Sequence, residues 1–237
     1  SYVAVILVTT TFVFFALISQ GSSIDEGIFD SLFTVISIGT STGYTNSDYM
    51  LWPVVTHILL FLLMIVGACA GSTSGGLKLM RVTLALKVAW REIGRIAQPK
   101  RIFRIRMNGE VVENERLGLI VGMLFVWTGL FAISCIVLAV TMPDSDFESV
   151  VAVVASSLGN TGPTLGDYGP SNTWASMGAP SLVITSILMW FGRLELMTAL
   201  LLIHPRTWAR EEREAPDRAS VKLISELFEK MEDKGED

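Results

Sequence analysis

The sequence is short of charge, of cysteine and of histidine. Charged residues make up 17% of its 237 positions, where a soluble domain carries about a quarter, while 51% are hydrophobic and the mean hydropathy is +0.52. That balance argues against a soluble globular chain and for a bilayer protein. Basic residues (18) are outnumbered by acidic ones (23), so the net charge is −5 and no broad basic surface is available to nucleic acid. The two cysteines, Cys69 and Cys135, lie far apart inside apolar runs. This excludes a disulfide framework or a cysteine-rich metal site, and both are expected to be buried thiols. His57 and His204 have no Cys or acid at metal-ligand spacing, and no nucleophile sits in a recognised elbow or phosphate loop. Nothing here calls for an enzyme.

What the chain does have is apolar runs long enough to cross a hydrocarbon core, which takes about 20 helical residues. Val3 to Ile18, Met50 to Ala70, Leu117 to Met142 and Met177 to Ile203 are four such runs, the last interrupted by Arg193 and Glu195. The first begins so close to residue 1, without Met or a charged leader, that it is expected to be part of a chain continuing upstream and not a signal peptide. Two shorter stretches, Ile28 to Ile38 and Phe147 to Leu158, lie between the first and second runs and between the third and fourth. Segments of that length dip into a membrane and return, provided they line a cavity or are covered by protein. The pattern is span, dip, span, performed twice.

Charge sets the orientation, because short cytoplasmic loops collect Lys and Arg. Ten of the 18 basic residues fall in Lys78 to Arg116, seven in Arg206 to Lys234, and Arg193 lies within a span. The loops carrying the dips hold none. They carry Asp25, Glu26, Asp30 and Asp48 in one case and Asp144, Asp146, Glu148 and Asp167 in the other, an acidic approach that concentrates cations. Phe29-Asp30-Ser31 recurs as Phe147-Glu148-Ser149, and Asp48-Tyr49 recurs 119 positions later as Asp167-Tyr168, as expected of a duplicated unit.

After each dip comes a glycine-containing polar turn, Thr40-Ser41-Thr42-Gly43-Tyr44-Thr45 and Gly159-Asn160-Thr161-Gly162-Pro163, with Gly43 and Gly162 again 119 apart. A short helix entering from outside points its partly negative C-terminus at the membrane centre, which favours a desolvated cation there. The turn climbing back can face carbonyl oxygens inward in place of the cation's water, and glycine permits the backbone angles this needs. The filter candidates are therefore Ser41, Thr42, Gly43, Tyr44, Asn160, Thr161, Gly162 and Pro163. A plain polar turn is the competing reading of either motif alone.

These turns, together with Gly67-Ala68-Cys69-Ala70-Gly71-Ser72-Thr73-Ser74-Gly75-Gly76-Leu77-Lys78 and Gly192-Arg193-Leu194-Glu195, resemble the Trk/Ktr/HKT superfamily of potassium transporters, in particular its TrkH-type potassium-uptake subunits. Members carry four such repeats around a pseudo-fourfold pore, and residues 1 to 209 match the third and fourth. The resemblance implies that K⁺ is held by backbone carbonyls of Thr42, Gly43, Thr161 and Gly162. It also departs from strict equivalence, since Pro163 stands where the first unit has Tyr44. The Gly67 to Lys78 stretch, by composition, breaks a membrane helix near its midpoint. Resemblance makes Gly71, Ser72, Thr73, Ser74, Gly75 and Gly76 of that stretch a gate below the filter. Small-residue helix packing is the alternative. An intramembrane Arg193 turns to a partner or a wet cavity or else snorkels to the cytoplasmic edge. The resemblance places it facing the pore, where its charge would meter K⁺.

The expected fold class is an all-α membrane protein of two span/pore-helix/span repeats, half of a pseudo-fourfold cation pore. Its boundaries are residues 1–96 for the third-type repeat, 97–116 for a cytoplasmic hairpin loop, 117–209 for the fourth-type repeat and 210–237 for a cytoplasmic tail. Ile102 to Val112 around Asn108-Gly109 reads as the hairpin. In the tail Leu223, Ile224, Leu227, Phe228 and Met231 form an apolar helical stripe. The expected function is potassium transport in the bacterial inner membrane, multi-pass, with the C-terminus cytoplasmic. Expected partners are membrane lipid and either a missing N-terminal half or a second copy to close the ring. The resemblance adds a homodimer of the full subunit and a cytosolic nucleotide-binding regulatory ring of the TrkA type. A Na⁺-conducting relative and a non-conducting membrane scaffold are the alternatives.

Overall fold

In a computed structural model of the chain, residues 2–69, 72, 75–98, 105–107, 110–112 and 114–194 are described, and among them the architecture is seven α-helices and one small hairpin. α1 (Tyr2–Ser19) is apolar on every side and stops at Gln20-Gly21, where Gly21 takes φ +94°. α2 (Ile24–Gly39) starts a turn earlier than its apolar run because Ser23 caps it. The Ser23 hydroxyl oxygen accepts from the Glu26 amide at 3.4 Å and its O–H donates to the Glu26 carboxylate at 2.8 Å. A short 3₁₀ turn (Tyr49–Leu51) follows, capped by Asp48.

α3 (Val54–Val66) is shorter than the expected Met50 to Ala70 span. Pro53 sets its start, and Gly67 at φ +65° ends it, so the apolar run is longer than the helix it contains. α4 (Leu79–Ala97) resumes after the glycine-rich break. The strands β1 (Arg106–Met107) and β2 (Glu110–Val111) pair antiparallel, Arg106 opposite Val111 and Met107 opposite Glu110, inside the expected hairpin. α5 (Asn114–Thr141), α6 (Phe147–Gly159) and α7 (Ala179–Arg193) complete the order, with 3₁₀ turns at Gly166–Tyr168 and Trp174–Ser176 between α6 and α7. Among the described residues, α1 and the Arg116–Thr141 part of α5 are long and apolar enough to cross a membrane, while α3 and α6 are apolar but shorter. At 1.5 Å per residue α6 reaches only about 20 Å, less than a hydrocarbon core of about 30 Å.

α6 lies at the centre of the described residues. Ten of its 13 residues are buried, and two apolar clusters share it. Ala152 and Ala155 face a cluster of Val13 and Leu17 from α1, Val35 and Ile38 from α2, and Leu60, Leu63 and Met64 from α3. Val150, Val153, Val154 and Leu158 face Trp127 and Leu138 of α5 and Leu188 of α7. The small side chains on one face let α3 approach closely, and the branched ones fill the gap to α5 and α7. A third cluster, Leu84, Ile105 and Leu117, holds the hairpin against α4 and α5, helped by Lys87 donating to the Arg106 carbonyl at 3.0 Å.

Cys69 corrects one expectation. It is exposed, not buried, because the helix has already ended at Gly67 and the chain leaves the packed face; Cys135 is half-buried on α5.

Candidate ion pathway

Both polar turns follow the C-terminus of a short helix, and their backbones are alike. Ser41 and Asn160 are left-handed at φ 56° and 51°, and Gly43 and Gly162 follow two residues later at φ 80° and 93°. The Thr42 amide donates to the Ser37 carbonyl at 2.9 Å, and the Thr161 amide donates to the Ser156 carbonyl at 3.2 Å. The Ser41 amide donates to Ile38 and the Asn160 amide to Ser157 in the same way. Each pair of positions is separated by 119 residues. A left-handed residue reverses the chain off the helix end, and a second one turns the following peptide planes, so the carbonyls of the turn no longer run along the helix axis.

The side-chain supports differ between the turns. Ser37 donates to the Tyr44 carbonyl at 2.6 Å, strapping the first turn back to α2, while Thr161 donates to the Ser156 hydroxyl at 3.1 Å in the second. Thr161 is buried and Thr42 is exposed; Tyr44 is exposed and Pro163 half-buried. The two turns meet at their glycines. A Cβ on Gly43 would stand 2.6 Å from the Thr161 carbonyl oxygen, a distance no side chain tolerates, and one on Gly162 would touch the Gly43 Cα at 3.6 Å. Outside them lies an open recess of about 410 Å³ whose lining includes Gly43, Thr45, Gly162, Pro163, Tyr168 and Trp174.

At the C-terminal end of α6 three segments converge. The Gly76 amide donates to the Leu158 carbonyl at 3.2 Å, and a Cβ on Gly75 would stand 2.7 Å from the Gly159 carbonyl oxygen. Gly192, near the end of α7, leaves no space for a methyl against the Leu158 carbonyl and the Asn160 side-chain amide, and Asn160 donates to the Met189 carbonyl at 3.0 Å. The described part of the glycine-rich break therefore lies directly below the second turn. Ser72 bonds back to the Cys69 carbonyl at 2.7 Å. Gly71, Thr73 and Ser74 lie outside the described residues, as do Glu195, His204, the apolar stripe of the tail and the Asn108-Gly109 turn. Arg193 is the last residue of α7, one position past the Gly192 contact, with its side chain exposed. Lys78, only 8% exposed, starts α4 at φ +58° beside a cleft lined by Gly76, Arg81, Trp127 and Gly192.

Several residues that position the turns are not visible as motifs. Tyr49 is fully buried, and its hydroxyl donates to the Thr164 carbonyl at 2.7 Å. Thr164 in turn donates to the Tyr168 carbonyl. His57 Nε2 lies 2.9 Å from the Tyr49 carbonyl, which only accepts, so that nitrogen carries the proton; Nδ1 faces Glu148 at 3.5 Å. Burial, with the Asp48 carboxylate alongside, pushes the Tyr49 phenol well above its ordinary pKa and keeps it a donor. Ser149 accepts from the Asp167 amide at 2.8 Å and donates to its carboxylate at 3.1 Å, tying the start of α6 to the loop that follows the second turn. The recurrence of Asp48-Tyr49 and Phe147-Glu148-Ser149 is the sequence signal that could have found these.

Residues 2–208 match the TrkH family, described as cation transport proteins. The Trk system potassium uptake protein TrkH of Salmonella typhimurium is 34% identical over 178 residues, covering 75% of this chain and 36% of that protein. TrkI of Halomonas elongata, also a Trk system potassium uptake protein, is 28% identical over 192 residues, 81% of this chain and 39% of that protein. The crystal structure of the potassium transporter TrkH from Vibrio parahaemolyticus superposes with a TM-score of 0.79 at 27% identity, covering 87% of this chain and 44% of that one. The chain thus spans between a third and a half of the length of these relatives.

Proposed function

The chain belongs to the TrkH family of cation transport proteins, and from that premise we propose that it forms part of a potassium-selective pathway through the bacterial inner membrane. K⁺ gives up its water at Gly43 and Gly162, where the carbonyls of Thr42, Gly43, Thr161 and Gly162 replace it, with Ser41, Tyr44, Asn160 and Pro163 flanking them. The single observation that carries this reading is the pair of like-angled left-handed glycine turns in contact at the ends of two short helices. Transport is dehydration followed by gating, with no covalent step.

Gly71 to Gly76 act as the gate, a reading supported by the contacts of Gly75 and Gly76 with Gly159 and Leu158. Arg193 meters the ion from α7. Residues 1–96 and 117–209 are two like units, 97–116 a cytoplasmic hairpin loop and 210–237 a cytoplasmic tail. Two turns do not close a fourfold ring, so an N-terminal half or a second copy completes it. The full subunit forms a homodimer in lipid, and the basic stretch from Lys78 to Arg116 is where a TrkA-like nucleotide-binding ring docks.

Cation uptake into liposomes by the complete pore tests the reading. K⁺ or Rb⁺ enters in preference to Na⁺; equal Na⁺ entry would change the assigned ion, and no flux would leave a scaffold. Gly43→Asp puts a side chain on a left-handed residue and against the Thr161 carbonyl, a cost of at least about 1–2 kcal/mol, and lowers flux more than tenfold. Deleting residues 71–76 raises flux, and unchanged flux in a folded deletant removes the gate.

A further inference from the structure

We propose that Tyr49 is a positioning residue for ion selectivity, its buried hydroxyl fixing the return limb of the second glycine turn from the first unit. The inference rests on the filter reading above and goes beyond it, because Tyr49 lies outside both turns. Its ring is fully buried among α1, α2, α3 and α6 and packs edge-on against Trp52 with centroids 6.2 Å apart. Side-chain hydrogen bonds hold it at opposite ends. Its carbonyl accepts from His57 of α3 at 2.9 Å, and its hydroxyl donates to the Thr164 carbonyl at 2.7 Å.

Thr164 is two residues beyond Gly162, and both are joined through the proline ring of Pro163, whose φ is fixed. Orienting the Thr164 peptide therefore orients the limb that carries the Gly162 carbonyl. The second turn lacks the strap that serves the first: Ser37 reaches the Tyr44 carbonyl, whereas Ser156, the residue at the matching position, accepts from Thr161. Tyr49 supplies the missing restraint from across the unit boundary. In the snug-fit account of selectivity, discrimination between K⁺ and Na⁺ depends on oxygen ligands held at one radius, and a limb released from its restraint relaxes toward the smaller ion.

The test compares Tyr49→Phe with Trp52→Phe in the complete pore, reading K⁺ flux and the K⁺/Na⁺ permeability ratio in liposomes. Tyr49→Phe keeps the ring and removes the donor, so K⁺ flux persists and the ratio falls by about threefold to tenfold, the factor one ordinary hydrogen bond carries. Trp52→Phe disturbs the packing, lowers the melting temperature and leaves the ratio alone. An unchanged ratio in Tyr49→Phe overturns the proposal, and so does an equal fall in Trp52→Phe. If Tyr49→Phe does not fold, replacing Leu165 by its α-hydroxy acid, which makes the 164–165 linkage an ester and weakens the Thr164 carbonyl as an acceptor, carries the test with the same expected fall. Absence of flux in the unaltered pore would sink the filter reading itself, a result distinct from a conducting pore whose ratio ignores Tyr49.

Discussion

A methyl group at residue 192 has no room. The Leu158 carbonyl oxygen and the Asn160 amide occupy its place, and the same carbonyl already accepts from Gly76. Gly192→Ala is expected to destabilise the protein by about 1–3 kcal/mol, because backbone atoms on the far side do not yield as a flexible side chain would. Gly118, in the first turns of α5, has nothing within 4 Å of the equivalent position. Gly118→Ala is therefore neutral or stabilising by up to about 1 kcal/mol, since alanine is the better helix former. Thermal melts of the two variants in detergent should move in opposite directions or at least separate clearly. A shared shift would mean that glycine at 192 serves helix flexibility and not close approach.

The two short helices aim their C-termini at the turns but are started differently. α2 has a side-chain cap from Ser23 and acids Asp25 and Glu26 in its first turn. α6 is preceded by Asp146, whose side chain makes no cap hydrogen bond, and is held instead by the bonds of its Ser149 to Asp167 in the loop after the second turn. Ser23→Ala should cost about 1 kcal/mol and loosen the first turn of α2, read as faster amide exchange at residues 25–27. Asp146→Ala should change exchange in α6 less, because burial of ten residues fixes that helix without its cap. The ordering would be reversed if caps and not packing governed both helices.

For the molecule as a whole, the decisive property is sidedness. The loops carrying the short helices hold the acids and residues 78–116 hold ten of the 18 basic residues, so by the positive-inside rule the basic stretch is expected in the cytoplasm and the acidic loops opposite. With Cys69 and Cys135 replaced by Ala, a cysteine at exposed Ser171 should react with an impermeant maleimide added to intact cells. A cysteine at Ile96, 83% exposed at the end of α4, should react only after permeabilisation. The opposite pattern would invert the topology and with it the direction from which the short helices enter.

Most of the element order and both glycine turns were legible from the chain alone, because apolar run length, loop charge and glycine placement are local properties written in consecutive residues. The extent of α3 was not, since Pro53 and Gly67 cut a helix out of a longer apolar run. Nor was the exposure of Cys69, which depends on where the chain leaves the bundle. Only the tertiary structure decided which groups meet: Gly43 against the Thr161 carbonyl, Gly75, Gly76 and Gly192 around the end of α6, and Tyr49 on Thr164, 115 residues away. Sequence spacing fixes what a residue is able to do, whereas a hydrogen bond of 2.7 Å or a forbidden Cβ exists only once distant backbones have packed against each other.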